Sequence, residues 1–332
     1  MSPVNAKVGV VIPSYRVTAH ILDVVSRVGP RCHAIYVVDD ACPDGSGRFV
    51  QEHCRDPRVK VVFNAVNLGV GGAVMHGYRI AVDDGCDVIV KIDGDGQMAP
   101  ELLPQFIDPI LDGYADYTKG NRFFDLSEIS QMPAVRLFGN AVLSFMSKIS
   151  SGYWDLFDPT NGYTAIHARI VEHLPLDKIS HRYFFESDML FRLNTLRCVV
   201  LDVPMDANYG DEESNLKIKS IVFDFLFKHI RNFFKRIFYN YFLRDLSPAS
   251  LELLAGPLLL CMGTVYGATQ WQSSAQQNVM TAPGTVMLAA LPVLMGFQLI
   301  LAFLSHDMQS VPKVAIHRRL HRKRKALSQT TV

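Results

Sequence analysis

The sequence predicts an α/β fold: a mostly parallel sheet, followed by a basic helical segment and two apolar helices. Three observations predict it. Short β-branched runs alternate with helix-length connections through about the first hundred residues, the pattern of a parallel sheet with crossovers. Several of these runs end in loops of carboxylates and glycines, and open α/β sheets bind ligands at strand carboxyl ends. Two apolar segments near the C-terminus are each about 20 residues long, enough to span a hydrocarbon core.

Residues 7–12 form the first predicted strand, stopped by Pro13, and 18–28 a helix with Ile21, Leu22, Val25 and Val28 on one face. Residues 34–38 are a second strand running into Asp39 and Asp40, then a Pro/Gly/Ser loop through Gly47. A short helix, a strand at 59–63, a glycine loop at 67–72 and a helix over 73–82 follow. The glycine loop lacks full dinucleotide-binding spacing, because Val74 stands at the last glycine position and the loop follows the third strand. Its glycines are expected to let a helix pack closely on the sheet.

The run Val88-Ile89-Val90-Lys91-Ile92 reads as a buried strand that stops at Asp93-Gly94-Asp95-Gly96-Gln97. Alternation lets Asp93 and Asp95 point the same way if the chain stays extended. Two hard oxygen ligands beside small residues suit Mg²⁺ or Mn²⁺ carrying phosphates; alone, the pattern is equally a polar turn. Tyr15, Asp40, Asp93 and Asp95 all fall at strand carboxyl ends, which argues for one site. Further on, 117–122 ends a strand at Arg122, Arg136 lies on a helix reaching Ile149, and a polar turn at 158–163 precedes a strand at 164–167. An arginine fork beside a metal site can hold phosphate oxygens. Glu186 and Asp188 lie in the aromatic-rich stretch 183–193, where each reads equally as a solvated charge.

With 332 residues and 49% hydrophobic content, the chain can bury a large core and hold two units. A formal charge of +1 gives no global field for nucleic acid. The six cysteines show no C-x-x-C spacing and read as reduced thiols, not as a zinc site or disulfide frame. The polar residues 1–7 do not read as a secretory signal.

Residues 216–243 read as an amphipathic helix in a membrane interface, or else one packed on the domain, with Lys217, Asp224, Lys228, Arg231 and Lys235 on one face and Val222, Leu226, Ile230, Phe233 and Ile237 opposite. The spans are expected at 250–270 and 285–304. The loop 271–283 has no Lys or Arg, whereas 317–325 is strongly basic, so the positive-inside rule puts both ends in the cytoplasm. The expected organisation is 1–215 as the α/β domain, 216–246 as amphipathic juxtamembrane helices, 247–306 as the two spans and 307–332 as a basic cytoplasmic tail.

The assembled motifs resemble those of the family 2 glycosyltransferases, and among them the polyprenyl-phosphate glycosyltransferases typified by dolichol-phosphate mannose synthase. Val11-Ile12-Pro13-Ser14-Tyr15 looks like the opening motif, and the stretch from Val38 to Ser46 is similar to V-D-D-x-S-P-D-G-T. Asp93 to Gln97 matches D-x-D-x-Q and Gly120-Asn121-Arg122 matches G-x-R; the resemblance covers residues 7–215, and bacterial members with two C-terminal spans match the tail. It implies a GT-A fold. It further implies that Asp40, with Pro13 and Tyr15, contacts the donor nucleoside, and that Asp93, Asp95 and Gln97 hold Mg²⁺ or Mn²⁺ and the donor diphosphate. Arg122 and Arg136 would steady diphosphate or acceptor phosphate. Two departures stand out: Tyr15-Arg16-Val17 replaces Y-N-E, and the late R-x-x-G-x-S-K motif lacks its arginine, leaving Lys217 and Lys219 as candidates for that phosphate contact.

The implied reaction is inverting transfer from a UDP- or GDP-linked sugar to polyprenyl phosphate at the cytoplasmic face of the inner membrane, with membrane lipids as partners and a homo-oligomer left open. The competing readings are a polysaccharide synthase of the same fold, whose Q-x-x-R-W segment is absent, and a non-catalytic nucleotide-sugar-binding membrane protein, against which the intact Asp40, Asp93, Asp95 and Gln97 argue.

Overall fold

The computed structural model describes residues 6–124, 134–205 and 218–321; side chains of 134–136 and 218–222 lie outside the described set. The chain divides into two compact units, 1–232 with 312–332, and 233–311.

The first unit is built on a seven-stranded sheet in the order β3-β2-β1-β4-β6-β5-β7. Its strands are β1 (Val8–Ser14), β2 (Ala34–Asp39), β3 (Val59–Phe63), β4 (Val88–Lys91), β5 (Tyr117–Asn121), β6 (Thr164–His167) and β7 (Val200–Pro204). Only β6 runs against the rest, pairing antiparallel with both β4 and β5. This is the mostly parallel sheet that the sequence predicts.

Helices α1 (Ile21–Arg27) and α4 (Leu103–Leu111) bury Ile21, Val24, Phe106 and Ile110 against Val10, Ile12, Val37 and Val90 on one face. Full burial of such a side chain is worth roughly 1.5–3 kcal/mol. The short α2 (Ser46–His53) follows β2, and α3 (Gly69–Asp83) covers the other face with Ala73, Val74, Tyr78 and Ala81 buried. Helices α5 (Ala134–Ser151), α6 (Ala168–His173) and α7 (Phe185–Thr195) complete the unit, with the first part of α8 (Ile218–Phe238).

One expectation is revised at Pro13. It does not stop the first strand: β1 continues through Ser14, with Pro13 in register with Val38. Val11 offers its carbonyl to Ile92 on the β4 side, whereas Ser14 bonds to Asp40 on the β2 side. Pro13 therefore turns its missing N–H toward β4, which has already ended, and no ladder bond is lost.

The C-terminal segment belongs to this unit. Asp116, just before β5 and fully buried, accepts hydrogen bonds from the backbone N–H groups of Val199, Ile316 and His317 at 2.8–3.0 Å, and its Oδ1 lies 2.8 Å from His317 Nδ1. The His317 ring stacks on His167 at 4.3 Å, and Arg169 donates to the carbonyl oxygens of His317 and Leu320. Residues read from sequence only as a basic tail thus include a docked strap on the amino-end edge of the sheet. The basic run at 322–325 lies outside the described residues.

The second unit contains the end of α8, a π turn at Tyr239–Arg244, α9 (Pro248–Gln276) and α10 (Pro283–Gln309). Both α9 and α10 are long and apolar enough to cross a membrane, and each extends a few residues beyond the expected span. Their backbones approach closely where Gly263 faces Ala289 and Gly296 faces Leu260, the small-residue contact favoured when lipid supplies no hydrophobic drive. Arg236 makes a bidentate ion pair with Asp307 at 2.6 and 3.0 Å, and Tyr241 Oη donates to the same carboxylate at 2.7 Å.

The faces of α8 differ from expectation. Its outward stripe is aromatic, with Phe223 74% exposed and Phe227 and Ile230 following at helical spacing. Its protein-facing side is mixed: His229, Asn232 and Arg236 are buried there, and so is Ile237, where an exposed apolar face was expected. Each inward polar group has a partner distant in sequence, which a period alone cannot reveal. Val222 lies outside the described side chains.

Candidate active site

A cleft of about 530 Å³ opens at the carboxyl ends of β1, β2 and β4, lined by Pro13, Tyr15, Asp40, Asp93, Asp95 and, from α7, Glu186. The switch in direction of chain progression between β1 and β4 opens this crevice. Five residues anticipated from sequence for donor or metal therefore share one cavity.

Asp40 is held from several sides. Its Oδ1 accepts from Leu68 N and Asn64 Nδ2 and its Oδ2 from Gly69 N, all at 2.8 Å. A carboxylate at the start of α3 is favoured by the free N–H groups and dipole there. Its neighbour Asp39 accepts from Cys42 N at 2.8 Å and Gly47 N at 2.6 Å, and so shapes the loop after β2. The two adjacent carboxylates fold the walls of the cleft, and Asp40 also lines it.

Asp93 leaves β4 beside a buried cation. Lys91 Nζ lies 2.7 Å from Asp93 Oδ1 and 5.4 Å from the centre of the Phe185 ring, and the lysine side chain is 1% exposed. Gly162, before β6, makes this possible: a Cβ there would collide with both Asp93 Oδ2 and Lys91 Nζ. Asp95 Oδ1 accepts from Gln97 N at 3.0 Å, so Gln97 acts on the turn through its backbone, and its side chain is not part of the cleft lining. Two carboxylates opening on a cleft, without a third His, Cys, Asp or Glu clustered beside them among the described residues, fit a cation that completes its shell with phosphate and water.

Glu186 and Asp188 separate. Glu186 faces the cleft, where burial pushes its carboxyl up to about 8, opposed by Lys91 and assisted by Asp93 and Asp158. Asp188 is turned into the protein and accepts from Ser180 N at 2.9 Å and Asn232 Nδ2 at 3.0 Å.

Arg122 stands outside the cleft lining, in a two-bond pair with buried Asp158 at 2.7 and 3.0 Å. Burial alone would raise the Asp158 carboxyl, but Arg122 and nearby Lys119 outweigh it and hold it below the usual range. Arg136 and Lys219 lie on α5 and α8 with side chains outside the described set, and Lys217 and the 209–217 motif lie outside the described residues.

Sequence reasoning passed over Lys91, Arg182 and Tyr183, all of which line the cleft. A lysine inside an otherwise apolar strand was a signal, since a buried ammonium needs a partner. The glycine loop was expected to let a helix pack on the sheet; instead Gly69 and Gly71 lie under the segment at 180–182, and Gly69 also lines the cleft. Gly72 N donates to His181 O at 3.2 Å, and a Cβ on Gly71 would strike Ser180 O, so the segment at 180–183 can lie directly over the start of α3.

Residues 9–174 match the Glycosyl transferase family 2 sequence family. Over 173 residues the chain is 34% identical to undecaprenyl-phosphate mannosyltransferase of Micrococcus luteus, covering 52% of this chain and 70% of that protein. It is 30% identical over 201 residues to polyprenol monophosphomannose synthase of Mycolicibacterium smegmatis, covering 59% of this chain and 75% of the relative. Among solved structures, glucosyl-3-phosphoglycerate synthase from Mycobacterium tuberculosis, crystallised with Mn²⁺, UDP and glucosyl-3-phosphoglycerate, superposes with a TM-score of 0.53 at 16% identity, over 70% of this chain and 80% of that one. That likeness establishes the fold.

Proposed function

The chain belongs to glycosyl transferase family 2 and is a glycosyltransferase, and from that premise we propose that it transfers a sugar, with inversion, from a UDP- or GDP-linked donor to a polyprenyl phosphate at the cytoplasmic face of the membrane. The observation that carries this reading is the pairing, in one chain, of a strand-end cleft holding Asp40, Asp93 and Asp95 with two helices able to cross a bilayer. The printed activities of the two bacterial relatives support the acceptor class.

A lipid phosphate is anionic near neutral pH and attacks the anomeric carbon without a strong base. The protein's task is to align the reactants and offset charge on the leaving group. Asp40, Pro13 and Tyr15 are the nucleoside contacts. Asp93 and Asp95 would hold Mg²⁺ or Mn²⁺, which when bound neutralises the departing nucleoside diphosphate. Lys91 holds Asp93 in position. Arg122, Arg136, Lys217 and Lys219 are the proposed phosphate contacts. Burial favours the protonated form of Glu186, and the proposed attack by an anionic phosphate gives it no proton to take.

Two helices of the first unit support a resting place on lipid. On α5, Phe138, Val142 and Phe145 form an exposed stripe, and on α8 Phe223, Phe227 and Ile230 form another. Such contiguous apolar surface marks an interaction site, and amphipathic helices of this kind lie in headgroup regions.

The test uses the full-length protein in liposomes, with UDP- and GDP-sugars, Mn²⁺ and undecaprenyl phosphate. A lipid-phosphate-dependent release of nucleoside diphosphate, with one sugar added per lipid, is expected. Release that ignores the lipid, or growth of a polymer, would overturn the acceptor assignment; binding without any turnover would favour a non-catalytic protein.

A further inference from the structure

Glu186 and Asp188 are two residues apart on α7, about 200° around the helix, so they serve opposite sides. Glu186 belongs to the cleft. Asp188, 1% exposed, instead joins two other parts of the first unit. Its Oδ2 accepts from Ser180 N at 2.9 Å and lies 3.4 Å from Arg192 Nε, while its Oδ1 accepts from Asn232 Nδ2 at 3.0 Å.

On one side of this carboxylate stands the cleft wall. Ser180 opens the segment that crosses the start of α3 through the His181–Gly72 hydrogen bond and supplies Arg182 and Tyr183 to the cleft. On the other side stands α8. Asn232 is buried; one turn earlier His229, also buried, meets Ser150 Oγ at 2.7 Å and sets its ring edge-on to Phe184 at 4.9 Å. Phe225 and Lys228 pack on the same Phe184, two residues before Glu186. The outward face of the same stretch carries Phe223, Phe227 and Ile230.

A surface helix can be fixed by apolar contacts alone. Buried polar bonds add geometric specificity, because each must be met in one arrangement. Here they link the outward aromatic helix to the wall of the nucleotide cleft through one side chain. We infer that Asp188 is a positioning residue: with Asn232 it ties the cleft wall at 180–186 to α8, so that seating of the α8 aromatic stripe in lipid sets the affinity for the donor nucleotide. The inference rests on the reading of α8 as an interfacial helix above.

The test is a double-variant cycle on nucleotide binding, with no acceptor present. Full-length protein in phosphatidylglycerol-containing nanodiscs is titrated calorimetrically with UDP and GDP in the presence of Mn²⁺. Replacing Phe223 and Phe227 together with glutamine should weaken binding at least about fivefold, the lower end of typical site-to-site coupling. In an Asn232→Ala background the same pair of changes should have no further effect. Asp188→Asn and Asn232→Asp should each break the linkage. The swapped pair, Asp188→Asn with Asn232→Asp, should restore it, because the amide can then donate to the new carboxylate while its oxygen still accepts from Ser180 N. Unchanged binding in the stripe variant, losses that multiply in the combined variant, or failure of the swap to recover would overturn the coupling alone. Failure of the unaltered protein to bind either nucleotide would overturn the functional reading, and this inference with it.

Discussion

Lys91 sits in a run that is otherwise apolar, and its ammonium is withdrawn from water against Asp93. At the scale of single residues, sequence reached the carboxylates of the cleft but not the groups that hold them. Asp40, Asp93 and Asp95 were legible because motif and strand end coincide. Lys91 depends on the space above Gly162, which belongs to a distant turn. Asp95 is only partly buried at the end of a turn, so Asp95→Ala should abolish transfer while leaving the melting temperature nearly unchanged. Full activity of that variant in chelator-treated buffer would remove the metal assignment. Glu186 supplies a pH signature. Its carboxyl, normally near 4.5, is raised to about 8 in the folded protein, chiefly by burial. The folded state therefore holds a proton that the unfolded chain releases, and stability declines as pH rises from 4.5 through 8. Urea midpoints should fall between pH 6 and 9 in the parent and fall less in Glu186→Gln; parallel curves would show that Glu186 is not the responsible group. His229 works in the opposite sense. Burial lowers it to about 4, so its neutral form is favoured and stability drops as pH falls from 6.5 toward 4.

Among the elements, α8 shows most clearly where periodicity runs out. Its buried side carries polar His229, Asn232 and Arg236 beside apolar Ile237, and its exposed side mixes Phe223, Phe227 and Ile230 with the charged Asp224, Arg231 and Lys235. A hydrophobic period cannot tell a lipid-facing stripe from a core-facing one, because both are apolar. The distinction comes from His229, Asn232 and Arg236, whose partners Ser150, Asp188 and Asp307 lie 79, 44 and 71 residues away in sequence. The same reasoning separates Glu186 from Asp188: two acids on one short helix look equivalent until the elements on either side are known. The Arg236–Asp307 pair invites a direct measurement. Removing one member leaves the other charged and buried, which typically costs about 3–5 kcal/mol. Asp307→Ala should therefore lower the unfolding midpoint in detergent markedly, whereas Arg236→Met combined with Asp307→Leu should lose less. If the double variant is as unstable as the single one, the pair itself is a net stabiliser and unpaired charge is not the cause.

For the molecule as a whole, the alternation of strands and crossovers gave the parallel part of the sheet, and hydropathy gave both spans. The reversed β6 and the edge strand β7 were harder to anticipate. A four-residue strand such as β6 carries too few positions to declare its direction, which is set by pairing with β4 and β5. Spans of this length, joined by a loop without Lys or Arg, predict that a single cysteine at Gln276, in a background without native cysteines, will react with a membrane-impermeant maleimide only from outside the cell. Labelling solely from the cytoplasmic side would invert the arrangement.

The strap at Asp116 has a consequence for biosynthesis. The chain leaves the first unit after Asn232 and rejoins it at Pro312, so both spans are an insertion between two parts of one folded body. Until a ribosome has synthesised both spans and residues 316–317, Asp116 lacks two of its three backbone donors and its histidine partner. Completion of the first unit therefore waits on synthesis of both apolar helices, and an emerging chain is last finished at the amino-end edge of its sheet. A fragment ending at residue 232 should be poorly stable and protease-sensitive, because a buried carboxylate without its donors is costly. Joining residues 312–321 to that fragment through a short flexible linker should restore protection; equal proteolysis of the two fragments would mean that the strap is dispensable for folding.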